Sequence, residues 1–154
     1  MRVSEIMTNA AVLDQSDDTL AEAARKMWKQ QTGSLLVTEG EDLIGIITER
    51  DVLKAVATGV KLEETRIAEV MTKDVVTVGP GTSLREAAKI MADRWIRHLP
   101  VIDGGQLVGV ISQRDLAGVL AGALNEPDAL TALVEASELV RERRLKRIEH
   151  GAWD

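Results

Sequence analysis

The chain of 154 residues contains no cysteine, no phenylalanine and no tyrosine. The absence of cysteine excludes disulfide bonds, thiolate catalysis and cysteine-based zinc sites. Without Phe or Tyr the chain lacks most side chains on which single-stranded nucleic acids stack, and its net charge of −6 opposes binding to a polyanion. No uncharged apolar run approaches the roughly 18 residues that cross a bilayer, and no apolar signal-peptide core follows Met1. We therefore expect a soluble, cytoplasmic protein.

An internal repeat organises the sequence. Arg2 to Ala57 aligns with Arg66 to Ala121 at an offset of 64 residues, without a gap and with 19 identities in 56 positions. Two copies of this length are too few for a solenoid. With 45% hydrophobic and 29% charged residues, the composition is that of a globular protein. The sequence therefore predicts a duplicated subdomain with approximate two-fold symmetry.

Each repeat predicts the element order β-α-β-β-α. In the first, a short strand at Val12-Leu13 precedes a helix whose apolar residues recur at intervals of three and four. Two strands around an acidic turn and a final helix follow. The corresponding first strand of the second repeat is Val75–Val78. We expect an α+β fold with subdomains at 1–61 and 62–124 and a C-terminal helical tail at 125–154.

The most informative stretch joins the last strand of each repeat directly to its last helix. It reads Gly45-Ile46-Ile47-Thr48-Glu49-Arg50-Asp51 in the first repeat and Gly109-Val110-Ile111-Ser112-Gln113-Arg114-Asp115 in the second. The hydroxyl residue stands three before the aspartate, which is the spacing of a helix capping box. Thr19–Glu22 and Ser83–Glu86 have the same box, so the box alone indicates no ligand. Two features distinguish the two motifs from these other boxes. The strand enters the helix without a loop, and the glycine allows another group to approach the strand closely.

The tandem pattern Gly-x-x-Thr/Ser-x-x-Asp after an apolar strand resembles the CBS (cystathionine β-synthase) domain, over about Arg2 to Leu124. In that family the aspartate typically holds a ribose diol and the hydroxyl residue helps to hold phosphate. The resemblance thus implies ribose binding by Asp51 and Asp115, and phosphate binding by Thr48 and Ser112. It implies a stand-alone regulatory CBS pair (a Bateman module) that senses cellular energy through adenine nucleotides (AMP, ADP or ATP) and signals in trans to a partner.

The chemistry of these residues is compatible with such a ligand. Unpaired N–H groups at a helix N-terminus favour phosphate, and a carboxylate can accept two hydrogen bonds from a diol. Further candidates for phosphate are basic residues: Arg50, Arg114, Arg97, His98 and Lys73. Candidates for an apolar slot around the base are Ile46, Ile47, Val110, Ile111, Val12, Val76 and Pro100. Because Arg97-His98 aligns with the uncharged Gly33-Ser34, we expect two related sites of unequal affinity in the inter-subdomain cleft.

The sequence contains no catalytic constellation and no metal-ligand cluster. The two motif aspartates belong to separate sites and do not form an acid/base pair. Trp28 and Trp95 extend the core stripes of their helices, so we interpret them as packing residues. We therefore expect a protein that is not an enzyme and has no catalytic cofactor, with an adenine nucleotide as its regulatory ligand.

Two further features concern partners. The helix Gln113 to Leu124 is apolar nearly all round and must bury more than one face, against the tail or a second subunit; we expect a homodimer. In the tail, Pro127-Asp128 can open a helix that ends in a basic cluster, Arg141, Arg143, Arg144, Lys146 and Arg147. This cluster fits a solvated helix, whose dipole the cations complement, or an acidic partner. Alternative functions are an interaction protein with degenerate sites and a nucleic-acid binder acting through the tail.

Overall fold

A computed structural model describes residues 1–9 and 13–123, together with 131, 134–135, 137–138, 141–142 and 144–146 of the tail. The first repeat consists of β1 (Leu13–Gln15), α1 (Leu20–Gln30), β2 (Ser34–Glu39), β3 (Asp42–Thr48) and α2 (Glu49–Ala57). The second consists of α3 (Ile67–Val70), α4 (Leu84–Arg94), β4 (His98–Asp103), β5 (Gln106–Ser112) and α5 (Gln113–Ala123). The predicted α+β class with two repeats is confirmed. Within the described residues, no helix has the length and apolar character needed to cross a membrane.

Each repeat has its own sheet. In the first, β1 runs parallel to β2, and β2 runs antiparallel to β3. In the second, β4 and β5 are antiparallel, and the predicted strand Val75–Val78 is reduced to one parallel bridge between Val78 and Val101. Both hairpins have an irregularity at the same aligned position, after Val37 and after Val101. The backbone plan of the two repeats is therefore the same except at the first strand.

The long helices begin at the predicted caps. The Thr19 N–H donates to Glu22 Oε2 over 2.7 Å, and the Glu22 N–H donates to Thr19 Oγ1 over 3.2 Å, which completes a capping box. At α4 the structure has one half of the predicted box, a 3.2 Å bond from the Glu86 N–H to Ser83 Oγ. Both helices end at a residue with left-handed backbone, Gln31 (φ 53°) and Trp95 (φ 56°). These aligned residues turn the chain into β2 and β4.

The two repeats exchange their N-terminal segments. Leu20, Leu35 and Ile47 form the first hydrophobic core with Ile67 of the second repeat. Leu99 and Ile111 form the second core with Val3 of the first repeat. The Val3 N–H donates to Thr82 O over 2.8 Å, and the aligned Ile67 N–H donates to Asp18 O over 2.9 Å. Each core therefore requires the other repeat for its completion.

The motif glycines lie where these exchanged segments cross the sheets. Thr8 and Val110 exchange two backbone hydrogen bonds of 2.9 and 3.0 Å, and Thr72 and Ile46 do the same over 2.9 and 3.0 Å. A Cβ at Gly109 would lie 2.7 Å from Thr8 O, and one at Gly45 would lie 2.5 Å from Met71 Sδ. The group that approaches each glycine closely is thus the other repeat's N-terminal segment, and the glycine is required for that contact.

One carboxylate interrupts the pattern of apolar burial. Asp14 is 3% exposed and aligns with the buried Val78 of the second repeat. Its Oδ1 lies 3.4 Å from Lys26 Nζ, whereas its buried Oδ2 has no hydrogen bond among the described residues. Burial, followed by a hydrogen bond with Asp18, raises the pKa of Asp14 to about 6. The same hydrogen bond with Asp14 is the main cause of a lowered pKa at Asp18.

The last helix of each repeat leaves apolar side chains at the surface. Leu53 and Val56 of α2 are 68% and 57% exposed. In α5 Leu116 is buried, while Ala117 and Ala121 are exposed. Leu124 and the predicted helix start at Pro127-Asp128 lie outside the described residues, as do Arg143 and Arg147 of the basic cluster. The described tail residues, which include Arg141, Arg144 and Lys146, are helical.

Candidate functional site

Two clefts lie at the junctions where β3 enters α2 and where β5 enters α5. We define the large cleft as the one that contains Ser112, Arg114 and Asp115; its volume is about 890 Å³. The small cleft contains Thr48, Arg50 and Asp51; its volume is about 200 Å³. The structure thus brings the predicted members of each motif together in a separate cavity.

Both clefts are built from both repeats and are related by the internal symmetry. In the large cleft, Thr8 and the loop Gln31–Ser34 of the first repeat face the second motif. In the small cleft, Thr72 and the loop Trp95–His98 of the second repeat face the first motif. The aligned loop residues differ in size, because Gln31, Gly33 and Ser34 correspond to Trp95, Arg97 and His98. These larger side chains contribute to the smaller volume of the second cavity.

The motif carboxylates cap their own helices with one oxygen each. Asp115 Oδ2 accepts hydrogen bonds from the Ser112 N–H and Oγ, both at 2.7 Å. Asp51 Oδ2 accepts from the Thr48 N–H at 2.8 Å and from Thr48 Oγ1 at 2.9 Å. In both residues Oδ1 has no hydrogen bond to another described residue. One oxygen of each aspartate can therefore accept hydrogen bonds from a ligand without loss of the cap.

The motif hydroxyls are committed to the same caps. Ser112 Oγ donates to Asp115 and accepts a 3.3 Å bond from the Asp115 N–H. Thr48 Oγ1 does the same with Asp51, with the bond from the N–H at 3.4 Å. A hydroxyl has a single proton to donate, so it must turn away from the aspartate before it can donate to a phosphate. The phosphate role of Thr48 and Ser112 stays a prediction that requires this rotation.

The predicted cations are distributed unequally around the clefts. Arg114 lines the large cleft, Arg50 lines the small cleft, and Arg97 and His98 line both. Lys73 lines neither cleft. Arg50 Nη1 donates to the Trp95 carbonyl oxygen over 3.4 Å. These positions leave four of the five predicted basic residues within reach of a bound anion.

Glu49 is a site residue that the sequence reasoning missed. This first residue of α2 lines the large cleft, and its Oε1 forms an ion pair with Nη2 of Arg97. Asp74, also missed, lines the small cleft. Glu49 follows the motif hydroxyl directly, but no sequence pattern indicates that a residue 48 positions away pairs with it. The mouths of the clefts are therefore less positive than the basic residues alone indicate.

His98 does not add a full positive charge to this boundary at neutral pH. Burial is the main cause that lowers the pKa of its imidazole, and the neighbouring Arg97 guanidinium lowers it further. Glu49 and Asp115 act in the opposite direction but do not reverse the shift. The positive charge that both clefts share at pH 7 is consequently that of Arg97.

The predicted base slot requires a correction. Ile47 and Ile111 are 0% exposed in the two cores, and Pro100 is also fully buried, so none of the three lines a cleft. Successive strand residues point to opposite faces, which sends Ile46 and Val110 to the clefts and their neighbours to the cores. Val76 lines the small cleft, and Val12 lies outside the described residues. The slot is therefore limited to Ile46, Val110 and Val76 among the described candidates.

The two tryptophans also differ from their interpretation as packing residues. Trp28 is 80% exposed and lines the large cleft. Trp95 follows the last residue of α4 and lines the small cleft. Met27 and Met91 are the last buried positions of the two helical stripes. Each cleft consequently has one indole at its wall.

Comparisons with known proteins agree with this geometry. The family model described as the CBS domain matches residues 3–58 and 67–122. The chain is 35% identical over 116 residues to the CBS domain-containing protein YhcV of Bacillus subtilis, a match that covers 75% of this chain and 82% of that protein. The similarity therefore extends over both repeats.

Two similar solved structures contain ligands. One is the CBS domain protein PAE2072 from Pyrobaculum aerophilum complexed with AMP; it is 28% identical, with a TM-score of 0.73 and coverage of 88% of this chain and 99% of that one. The other is the CBS domain pair of protein MJ0100 in complex with 5′-methylthioadenosine and S-adenosyl-L-methionine; it is 27% identical, with a TM-score of 0.73 and coverage of 79% and 97%. Both proteins are bound to adenosine-containing molecules.

Proposed function

Because this chain belongs to the CBS-domain family, we propose that it is a non-catalytic regulatory module that binds an adenine nucleotide of the AMP, ADP or ATP class. The observation that carries the proposal is the large cleft. Its volume of about 890 Å³ falls within the roughly 300–1,000 Å³ of small-molecule sites. It combines a helix N-terminus, an arginine and a carboxylate oxygen that has no hydrogen-bond partner among the described residues; these groups suit a phosphate and a ribose diol.

In this proposal each group of the large cleft has a separate task. Asp115 Oδ1 accepts hydrogen bonds from the ribose hydroxyls. The first N–H groups of α5 and the Arg114 guanidinium face the phosphate, where the helix dipole adds to the attraction. Val110 and Trp28 flank the base. The complexes of PAE2072 with AMP and of MJ0100 with adenosyl compounds support this class of ligand.

The small cleft is proposed as a second, weaker site of the same kind. It has the same motif, with Asp51 for ribose and Thr48 and Arg50 for phosphate. Its volume of about 200 Å³ lies below the usual range of small-molecule sites, so the cleft must open to admit a nucleotide. That opening uses part of the binding energy and makes the two sites unequal.

Regulation further requires that the ligand favour one arrangement of the molecule over another. We propose that the bound nucleotide reports cellular energy in trans to a partner protein in the cytoplasm. We also propose a homodimer, supported by the exposed Leu53 and Val56 of α2, which a second copy would cover. Size-exclusion chromatography with light scattering at micromolar protein should give the dimer mass, and the monomer mass would contradict the dimer.

Thermal unfolding with a panel of ligands tests nucleotide binding. The panel contains AMP, ADP, ATP, NADH, S-adenosylmethionine and 5′-methylthioadenosine. A ligand at 100 times its Kd stabilises the protein by about 2.7 kcal/mol, which raises the Tm of a domain of this size by several degrees. If no member of the panel raises the Tm, the nucleotide-binding proposal is wrong.

The second candidate function is an interaction protein with degenerate ligand sites. It is favoured by one observation, that both motif aspartates and both hydroxyls already cap their own helices. A Tm that no ligand of the panel changes, together with an unchanged oligomeric state, would fit this candidate. Binding of RNA or DNA that is lost on deletion of residues 125–154 would instead indicate the nucleic-acid function considered for the tail.

A further inference from the structure

The charges around the two clefts balance only if Arg97 is counted. Asp115 and Glu49 line the large cleft together with Arg114. Asp51 and Asp74 line the small cleft together with Arg50. Each cleft thus has two carboxylates and one arginine of its own, and Arg97 lines both. Without Arg97, either cleft would present a net negative charge to an incoming phosphate.

Arg97 is paired with a carboxylate of the large cleft. Its Nη2 contacts Glu49 Oε1, in an ion pair whose side chains are 44% and 56% exposed. Glu49 lies against the loop of the large cleft, since its Cδ would be 3.4 Å from a Cβ at Gly33. The residues aligned with Arg97 and Glu49 are Gly33 and Gln113, so the internal symmetry provides no second pair of this kind. The pair therefore lies at the boundary of the two clefts and has no counterpart under the internal symmetry.

We propose that Arg97 is one cation shared by the two clefts and held by Glu49, so that a phosphate bound in one cleft leaves the other unable to bind a second phosphate well. A phosphate in the small cleft draws Arg97 away from Glu49, whose carboxylate then faces the large cleft without a partner. A phosphate in the large cleft competes with Glu49 for the same guanidinium and keeps it from the small cleft. The proposal rests on the nucleotide-binding function above and adds negative coupling between the sites, specific for ligands with phosphate.

Calorimetric titration of the full chain with AMP and with adenosine tests the proposal. The wild type should bind one AMP, with a second at least about tenfold weaker, a coupling of ordinary size. Glu49→Gln frees Arg97 from its competitor in the large cleft, where the first AMP is expected to bind. It should tighten the first AMP by about fivefold, the upper end for so exposed a pair. The second AMP should remain the weaker one in this variant, because Arg97 is still shared by the two clefts. Adenosine, which has no phosphate, should bind both proteins equally.

Glu63→Gln is the matched control. Glu63 forms an exposed ion pair with Arg25 at 3.1 Å and lines neither cleft, so its substitution changes the net charge equally. It should leave AMP binding unchanged, and circular dichroism should give the same fold for both variants.

Several results overturn the shared cation but leave nucleotide binding intact. These are two equal and independent AMP sites in the wild type, an unchanged AMP titration in Glu49→Gln, and an equal gain for adenosine. Binding of adenosine or S-adenosylmethionine without AMP would overturn both the shared cation and the AMP, ADP or ATP class of ligand, and would leave only binding of an adenosyl compound. Absence of binding by every ligand would overturn both proposals.

Discussion

The two clefts have the same motif and the same backbone plan, yet their volumes are about 890 and about 200 Å³. The hydrogen bonds of the motifs barely differ, with the hydroxyl donating to the aspartate at 2.7 Å in one and 2.9 Å in the other. What differs is the loop that faces the motif, where Gly33 and Ser34 correspond to Arg97 and His98. The opposing loop therefore contributes to the difference in volume between the clefts, whereas the motif provides the same chemical groups in both.

The N-terminal segments give a second contrast between the repeats. At Gly109 the closest atom to an added Cβ is a backbone oxygen, Thr8 O at 2.7 Å. At Gly45 the closest atoms belong to the Met71 side chain, and Thr72 O is 3.2 Å away. A methionine can change rotamer, whereas a paired strand segment cannot move without loss of its hydrogen bonds. An added Cβ at Gly109 would thus meet backbone that cannot give way, whereas one at Gly45 would mainly meet a side chain that can.

The largest expected effect is on stability and comes from the different neighbours of Gly109 and Gly45. Gly109→Ala should lower the free energy of unfolding by about 3 kcal/mol, and Gly45→Ala by about 1 kcal/mol, because overpacking of a well-packed contact costs roughly 1–3 kcal/mol. Urea unfolding followed by circular dichroism measures both. Gly81→Ala, with nothing within 4 Å of the added Cβ, is the control. Equal losses at Gly45 and Gly109 would contradict this contrast between a backbone neighbour and a side-chain neighbour.

A somewhat smaller effect is expected on ligand affinity. Asp115→Ala should weaken the first AMP by about 30-fold, since loss of hydrogen bonds to a charged group costs about 2 kcal/mol. Asp51→Ala should leave the first AMP nearly unchanged, because its cleft is the smaller. Each variant should also lose about 1 kcal/mol of stability with its cap. Calorimetry that found the larger loss in Asp51→Ala would assign the principal site to the small cleft.

The cores differ at one aligned position, Asp14 against Val78. Asp14→Val should stabilise the protein by about 1–2 kcal/mol at pH 7.5, because an apolar side chain replaces a buried charge. The pKa of Asp14 is raised to about 6 from 3.8, so the folded state binds this proton more tightly than the unfolded state. The destabilisation of the folded state by the ionised Asp14 carboxylate is fully present above pH 6. It is lost as the pH falls towards 4.

The gain from Asp14→Val should therefore shrink between pH 6 and pH 4. Tm values of wild type and variant across this range measure the change, and the exposed Asp17→Asn is the control for removal of a charge in the same turn. A gain that does not vary with pH would show that packing, and not ionisation, separates the two cores.

The repeat and its elements could be predicted because they rest on local patterns. The stripe of Leu20, Ala23 and Met27 and the cap at Thr19 are encoded within a few residues. The exchange of Val3 and Ile67 between the cores could not be predicted, because the sequence pattern of an apolar segment does not show which of two cores the segment joins. The alternation of strand residues could have separated Ile46 from Ile47, and Val110 from Ile111, before the structure did.

The position of the candidate site residues at the clefts could be predicted to a similar depth, and their ligand roles stay predictions. The motif residues and Arg97 follow from the sequence, because the asymmetry between Arg97 and Gly33 is visible in the alignment of the repeats. The pair of Arg97 with Glu49 depends on the tertiary geometry between a loop and the first turn of α2, and no local sequence pattern predicts it. The exposure of Trp28 was missed because Trp28 lies at the edge of the apolar stripe of α1. At that position the sequence pattern does not distinguish a side chain that packs in the core from one that faces the cleft.

The smallest expected effect is a change in tryptophan fluorescence, since each cleft wall has an indole among its described residues. If AMP occupies the large cleft first, it should change the emission of Trp28, which is 80% exposed, and leave that of Trp95 nearly constant. Trp28→Phe should therefore lose most of the fluorescence change on AMP addition, with little change in affinity because a ring remains beside the base. Trp95→Phe is the matched control and should retain the change. A fluorescence response that is lost in Trp95→Phe and retained in Trp28→Phe would place the first nucleotide in the small cleft. The volume of a cleft would then be a poor guide to which site fills first.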